Sequence, residues 1–295
     1  MKKTIFTGSG VAIVTPFDGQ KTNYDVLGEL IEMQIAGKTD AIIICGTTGE
    51  AATMPDAEHL AAIEYTVKKV NGRIPVIAGT GSNDTLHAIY LSQQAEKLGA
   101  NGLLVVTPYY NKSTQKGLVK HFTEIANSVE LPIILYNVPS RTGMNITIDT
   151  LQELSKLPNI VGVKDATGNI SYTAELASKL PELAIYSGND DMTIPVMSLG
   201  GKGVISVIAN ILPEDTHNMC QYYLDGDVEK ARQLQLSMLD VMNSMFIEVN
   251  PVPVKTALRL MGYNVGNLRA PLYDMEDANL EKMKKAMTDY GIKLA

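Results

Sequence analysis

The sequence has no tryptophan, only four phenylalanines, four histidines and two cysteines in 295 residues. Cys45 and Cys220 cannot build a disulfide framework, and Cys45 lies in the apolar run 41–45, where a free thiol behaves as a small buried hydrophobe. Such usage fits a reducing compartment. His59, His87, His121 and His217 are far apart, and none forms the i, i+4 pair of a metal-binding helix, so no metal site is expected. Positive charge is also short: Lys+Arg 25 against Asp+Glu 32 leaves a net charge of −7. That is the wrong sign for phosphate backbones or anionic membranes, and neither nucleic acid nor membrane is an expected partner. No apolar run approaches the roughly 18 residues of a membrane span. Thr7, Gly8, Ser9 and Gly10 interrupt any signal-peptide core after Lys2-Lys3. A cytoplasmic protein is expected. Two nucleotide motifs also fail. Gly37-Lys38-Thr39 has Glu32 where a P-loop needs glycine, and Gly79-Thr80-Gly81 lacks the third glycine of a dinucleotide fingerprint.

What is present is an ordinary globular balance, 45% hydrophobic and 19% charged. Short β-rich apolar runs recur at 10–15, 41–45, 75–78, 102–106, 132–136, 160–164, 183–186 and 203–208. Most are apolar throughout, as parallel strands covered on both faces require. Amphipathic helices separate them, with Leu27, Leu30 and Ile31 on one face and Leu91, Ala95 and Leu98 on another. Asn23 and Asn83 read as N-caps, and Gly37 and Gly99 as C-caps. Eight strand–helix units at intervals of roughly 20 to 35 residues predict a (β/α)8 TIM barrel, with an open doubly wound sheet as the competitor. Helical spacing resumes at Val228, Ala231, Leu234, Met238, Val241 and Met245, and again over 254–261 and 279–287. The expected division is a barrel over 1–225, carrying the active site, and a C-terminal helical extension over 226–295 packed on it.

In a barrel the chemistry gathers at the C-terminal strand ends. Read in order, these are Gly46-Thr47-Thr48-Gly49-Glu50, Thr107-Pro108-Tyr109-Tyr110, the stretch from Tyr136 to Gly143, Lys164-Asp165-Ala166-Thr167-Gly168 and Ser187-Gly188-Asn189-Asp190. Histidine is absent from all of them. Lys164 ends an apolar strand, and alternation puts it on the face of Gly162, with Val161 and Val163 toward the helices. Burying a lysine disfavours its charged form, which suits a Schiff-base nucleophile. A salt bridge, for instance to Asp165, is the alternative. Tyr136 ends the preceding strand and can carry protons if hydroxyls such as Thr47 and Thr48 relay them; simple packing is its alternative. Arg141, just past Pro139, presents a fork suited to a substrate carboxylate or to a surface salt bridge. The glycines of Gly200-Gly201-Lys202-Gly203 read as a tight turn into the last strand, with a phosphate site as the alternative.

Taken together, these stretches, with Val106–Asn111, Gly203-Val204-Ile205-Ser206-Val207 and Asn250-Pro251-Val252-Pro253-Val254-Lys255, resemble the pyruvate-dependent class I aldolase superfamily. Within it they resemble the family of 4-hydroxy-tetrahydrodipicolinate (dihydrodipicolinate) synthases over nearly the whole chain. Asp165 departs from the glutamate commoner at that place. The resemblance implies a lyase that condenses pyruvate with L-aspartate 4-semialdehyde in diaminopimelate and lysine biosynthesis, through an imine on Lys164 and without a cofactor. It implies that Tyr136 shuttles protons through Thr47 to Tyr110 of a neighbouring subunit. Thr48 would hold the pyruvate carboxylate and Arg141 the semialdehyde carboxylate, while Gly188 and Ile205 would line the pocket through their backbone. It further implies a homotetramer, a dimer of dimers. The alternatives are an N-acetylneuraminate lyase, a 2-keto-3-deoxy sugar acid aldolase, or a barrel that binds a metabolite without turning it over. Arg141 and the Tyr109-Tyr110 pair favour the synthase. A regulatory lysine site would match Ala51, Asp56, His59, Asn83, His87 and Tyr109. With His87 standing where lysine-sensitive relatives carry glutamate, and Asp56 where they carry histidine, weak or absent sensitivity to lysine is expected.

Overall fold

Strands buried along nearly their whole length need cover on both faces, and here eight of them find it by closing on one another. The computed structural model describes residues 2–295; Met1 lies outside it. The strands are β1 (Gly8–Ala12), β2 (Ala41–Ile44), β3 (Val76–Gly79), β4 (Gly102–Val106), β5 (Ile133–Asn137), β6 (Ile160–Asp165), β7 (Ala184–Ser187) and β8 (Gly203–Ser206). All neighbours run parallel, and β1 pairs with both β2 and β8, so the barrel is closed and the open sheet is excluded. Outside it lie α1 (Tyr24–Ala36), α2 (Asp56–Val70), α3 (Thr85–Lys97), α4 (Gln115–Asn127), α5 (Ile148–Leu154), α6 (Ile170–Lys179), α7 (Thr193–Ser198) and α8 (Pro213–Leu224).

Several boundaries differ from the expected ones, each for a local reason. β1 starts at Gly8 and stops at Ala12, because beyond Ile13 the Val14 N–H turns to Asn210 Oδ1 and Pro16 has no N–H to offer. β8 stops at Ser206, because the Val207 and Ile208 N–H groups both donate to Asp190 Oδ2. Asn23 caps α1 by accepting from Val26 N, but the cap of α3 is Asp84, which accepts from Leu86 N. Asn83 instead offers its backbone carbonyl to Asn111. Gly37 caps α1, whereas α3 is capped by Leu98, with Gly99 one place beyond in a left-handed conformation.

Alternation along the strands divides the core in two. Ile43, Ile77, Leu104, Ile134, Tyr136, Tyr186 and Ile205 fill the barrel interior, while Ile42, Ile44, Leu103, Leu135 and Val163 pack against the helices. Phe6 stacks on Tyr186 at 4.4 Å and accepts its hydroxyl at 2.6 Å through the backbone carbonyl, filling the interior near the start of β1. The glycine run before β8 is a turn: a Cβ on Gly203 would lie 1.8 Å from Gly8 O.

After α8, Asp225–Asp227 lead into four further helices: α9 (Val228–Ser237), α10 (Leu239–Ser244), α11 (Val252–Leu260) and α12 (Asp277–Tyr290). Tyr290 donates to Asp215 on α8 at 2.8 Å, and Gln235 on α9 donates to Asp190 O at 3.1 Å. The second contact reaches the mouth of the barrel. No helix of the described residues is long and apolar enough to cross a membrane.

Candidate active site

At the C-terminal strand ends the barrel opens into a cavity of about 150 Å³. Lys164, Tyr136, Thr47, Thr48, Arg141 and Gly188 line it, as do Val138, Asn189, Val207, Phe246 and Asn250. Lys164 and Tyr136 are register partners on β6 and β5, so strand pairing itself sets them side by side. Lys164 is only 5% exposed, and its Nζ lies 4.4 Å from the centroid of the Tyr136 ring. The salt-bridge alternative to Asp165 fails. That carboxylate accepts from Thr167 N at 3.0 Å and Thr173 Oγ1 at 2.6 Å, which commits it to its own loop. Gly162, on the Lys164 face, answers a packing need rather than making room for a ligand, since a Cβ there would meet Ala184 O at 2.6 Å.

The threonines sit on a tight turn after β2. Cys45 turns the chain with a φ of 56°, Gly49 N donates to Gly46 O, Glu50 N to Thr47 O, and Thr15 Oγ1 to Gly49 O. Thr48 Oγ1 accepts from Asn250 Nδ2 at 3.0 Å. A hydroxyl that accepts on one side keeps its own hydrogen to donate elsewhere. Arg141 sits on the single turn Pro139–Thr142 and remains exposed, with Nη2 donating to Asn250 O at 3.0 Å. Gly188 closes against the Lys164 loop: its N–H donates to Asp165 O, and a Cβ would meet Ala166 Cβ at 2.6 Å.

Two residues named from the sequence lie off the cavity wall. Ile205 is fully buried inside the barrel, two residues short of Val207, which does line the cavity. Tyr110 is 93% exposed in a left-handed conformation (φ 66°) and stays outside. Asn250 carried no role in the sequence reading, although the stretch containing it was recognised. It touches Thr48 and Arg141 together, and its buried Oδ1 has no partner among the described residues. Asp190 was missed as well. Burial pushes its carboxyl above the ordinary carboxylate range, against hydrogen bonds from Ser206, Ile208 and Val207 and the charge of Lys164.

The residues suggested for lysine regulation fall on neighbouring segments. His87 bridges Asp56 Oδ1 at 2.9 Å and Ser82 Oγ at 3.1 Å. His59 is buried with Nε2 2.8 Å from Gly79 O, and burial pushes its pKa below the ordinary value. Asn83 is tied to Asn111, two residues from Tyr109, and Ala51 opens the short turn after Glu50. Among the described residues no three His, Cys, Asp or Glu side chains gather to hold a metal.

Residues 5–290 match the dihydrodipicolinate synthetase family. A 4-hydroxy-tetrahydrodipicolinate synthase from Caldicellulosiruptor saccharolyticus is 58% identical over 98% of this chain and 99% of its own length. Among solved structures, a chloride-inhibited dihydrodipicolinate synthase from Acinetobacter baumannii, complexed with pyruvate, aligns with a TM-score of 0.96 at 43% identity. It covers 98% of this chain and 100% of that one. A synthase from Cyanidioschyzon merolae solved with lysine bound aligns at 0.95 and 38% identity, over 99% of this chain and 100% of that one.

Proposed function

This chain belongs to the dihydrodipicolinate synthetase family, and from that premise we propose that Lys164 is the nucleophile of a pyruvate condensation. The enzyme is a lyase that joins pyruvate to L-aspartate 4-semialdehyde, giving 4-hydroxy-tetrahydrodipicolinate for diaminopimelate and lysine biosynthesis. The Lys164 amine adds to the pyruvate carbonyl and water leaves, forming an imine. Loss of a methyl proton gives the enamine, whose carbon attacks the aldehyde. The amine of the semialdehyde then displaces Lys164 as the ring closes. Lysine is its own electron sink here, so the chemistry needs no cofactor.

Tyr136, beside the amine, carries protons through Thr47 to Tyr110 of a neighbouring subunit. Thr48 donates to the pyruvate carboxylate, with Gly188 shaping the pocket through its backbone. Arg141 takes the carboxylate of the semialdehyde. The exposure of Tyr110, with Leu86 73% and Tyr90 43% exposed on the nearby α3, supports an assembly through this side; the proposed unit is a homotetramer, a dimer of dimers, working in the cytoplasm. In this reading the barrel (1–225) carries the active site and the extension (226–295) serves it.

The observation that carries the reading is Lys164 Nζ held against the Tyr136 ring in a small cavity. Borohydride added with pyruvate should leave one stable adduct, and peptide mapping should put it on Lys164; an adduct elsewhere, or none, defeats the mechanism. The other aldolases share the lysine and tyrosine, but Arg141 at the cavity favours a carboxylate-bearing acceptor. Parallel assays with aspartate semialdehyde, N-acetylmannosamine and glyceraldehyde separate them, since only the first should be consumed with pyruvate at a high rate.

A further inference from the structure

Three charges, Glu50, Lys255 and Arg269, are buried where the threonine turn meets the extension, with a partly exposed fourth, Glu58, beside them, and the reaction as described uses none of them. Glu50 ends the turn in a left-handed conformation (φ 55°), and its side chain has no solvent exposure. Its Oε1 accepts from Lys255 Nζ at 2.8 Å and its Oε2 from Arg269 N at 2.9 Å. Lys255, on α11, also donates to Asn267 O at 3.0 Å. Its ammonium lies 4.4 Å from the Phe17 ring centroid, and the Arg269 guanidinium lies 3.8 Å from the same ring. Arg269 grips Glu58 through both terminal nitrogens, at 2.6 and 2.8 Å. Two acids face two bases, so the cluster is neutral as a whole.

A buried ion pair seldom stabilises a fold more than apolar residues of the same volume, because desolvation offsets the attraction. What charged hydrogen bonds supply is direction. Direction matters at the other end of the turn, where Glu50 N donates to Thr47 O at 3.0 Å and the two hydroxyls face the cavity with Lys164. We propose that Glu50, Lys255 and Arg269 are positioning residues for the condensation: from the C-terminal extension they hold the Thr47–Thr48 turn in the register that places its hydroxyls against pyruvate on Lys164. This rests on the reading of those threonines as pyruvate-facing groups. Burial pushes Lys255 below its ordinary pKa while the Glu50 charge opposes the shift, as befits a lysine held by its partner.

The double variant Glu50→Gln/Lys255→Met removes both charges at once and leaves neither unpaired. It should fold and melt near the wild type. Its KM for pyruvate should rise about 10-fold, and borohydride trapping should slow about 10- to 100-fold, with KM for the semialdehyde within about 2-fold. Arg259→Met, on the same helix but paired with exposed Asp274, should change none of these. A folded double variant with wild-type pyruvate KM and trapping rate overturns the proposal. So does a fall in kcat with both KM values unchanged, which marks loss of active protein only.

If the double variant fails to fold, amide exchange in the wild-type enzyme decides. Gly49 and Glu50 amides should open together with those of α11, within about 10-fold, and exchange about 100-fold faster than α11 overturns the brace. Failure of the wild type to trap pyruvate on Lys164 would sink the reading of the nucleophile instead, and the exchange comparison would still judge the brace alone.

Discussion

Two tyrosines named for the same proton relay meet opposite fates in the fold. Tyr136 is 7% exposed, locked into the barrel interior and registered against Lys164. Tyr110 is 93% exposed on a strained loop outside the cavity. The first stands beside Lys164 within one chain, because strand pairing dictates its neighbour. The second lies off the cavity of its own chain, and a relay that ran through it would need another copy. One chain therefore brings Lys164 and Tyr136 together by itself, and the proposed relay through Tyr110 depends on assembly.

The largest effect should come from the pair within one chain. Lys164→Ala removes the covalent route, and the loss in kcat should be about 10⁵-fold or more. Mass spectrometry after borohydride should find no pyruvate adduct on the variant, and residual turnover near wild type would end the Schiff-base reading. Next come the tyrosines, each worth about 10²- to 10⁴-fold as a proton carrier. Complementation tells them apart. Mixed oligomers of Tyr110→Phe and Lys164→Ala chains should recover activity, because one hybrid site keeps both groups. Mixed oligomers of Tyr136→Phe and Lys164→Ala chains should not, because those two groups share a chain. Recovery in neither mixture would refute a shared relay.

The same contrast separates what could be read in the residues from what could not. The barrel was legible because most of its strands are apolar at consecutive positions, and the Lys164–Tyr136 pair followed from alternation on adjacent strands. Strand ends were less so, since β8 stops where Asp190 captures two N–H groups, a contact across loops. Asn83 and Asp84 are both good caps, and the structure places Asp84, whose Oδ1 accepts from Leu86 N, at the cap. Asn250 was illegible in role: 202 residues separate it from Thr48, and nothing in its own stretch says which loop it will meet. The Glu50–Lys255 pair spans 205 residues and was hidden for the same reason.

A smaller effect sharpens the comparison at the acceptor side. Arg141 is exposed and held by a single bond to Asn250 O, so its removal should leave the fold intact. Arg141→Ala should cost about 2 to 4 kcal/mol in kcat/KM for the semialdehyde, with the rate of pyruvate trapping nearly unchanged. Equal losses in both steps, measured by coupled assay and by trapping, would assign the arginine to structure.

The smallest effect concerns lysine as an effector, at the edge where Tyr110 and its loop would meet a neighbour. A free amino acid bound there needs an anion for each ammonium it brings. Asp56 is the acid at hand, but its Oδ1 is already 2.9 Å from His87 Nε2, and His87 Nδ1 is 3.1 Å from Ser82 Oγ. If His87 is protonated, the pair is neutral and its cation faces the incoming one. If it is neutral, Asp56 must give up a hydrogen bond to serve the ligand. His59 offers no anion, Gly79 O occupies its Nε2, and burial pushes its pKa below the ordinary value. Lacking one charge-assisted contact costs roughly 2 to 3 kcal/mol, about 30- to 150-fold in affinity. Initial rates across a lysine titration should show half-inhibition only above about 1 mM, a binding free energy no stronger than about −4 kcal/mol. His87→Glu should then strengthen inhibition, by placing an acid beside Ser82 that no base neutralises. Tight inhibition of the wild type, or no gain in that variant, would mean that other groups at this edge hold lysine without His87 or Asp56.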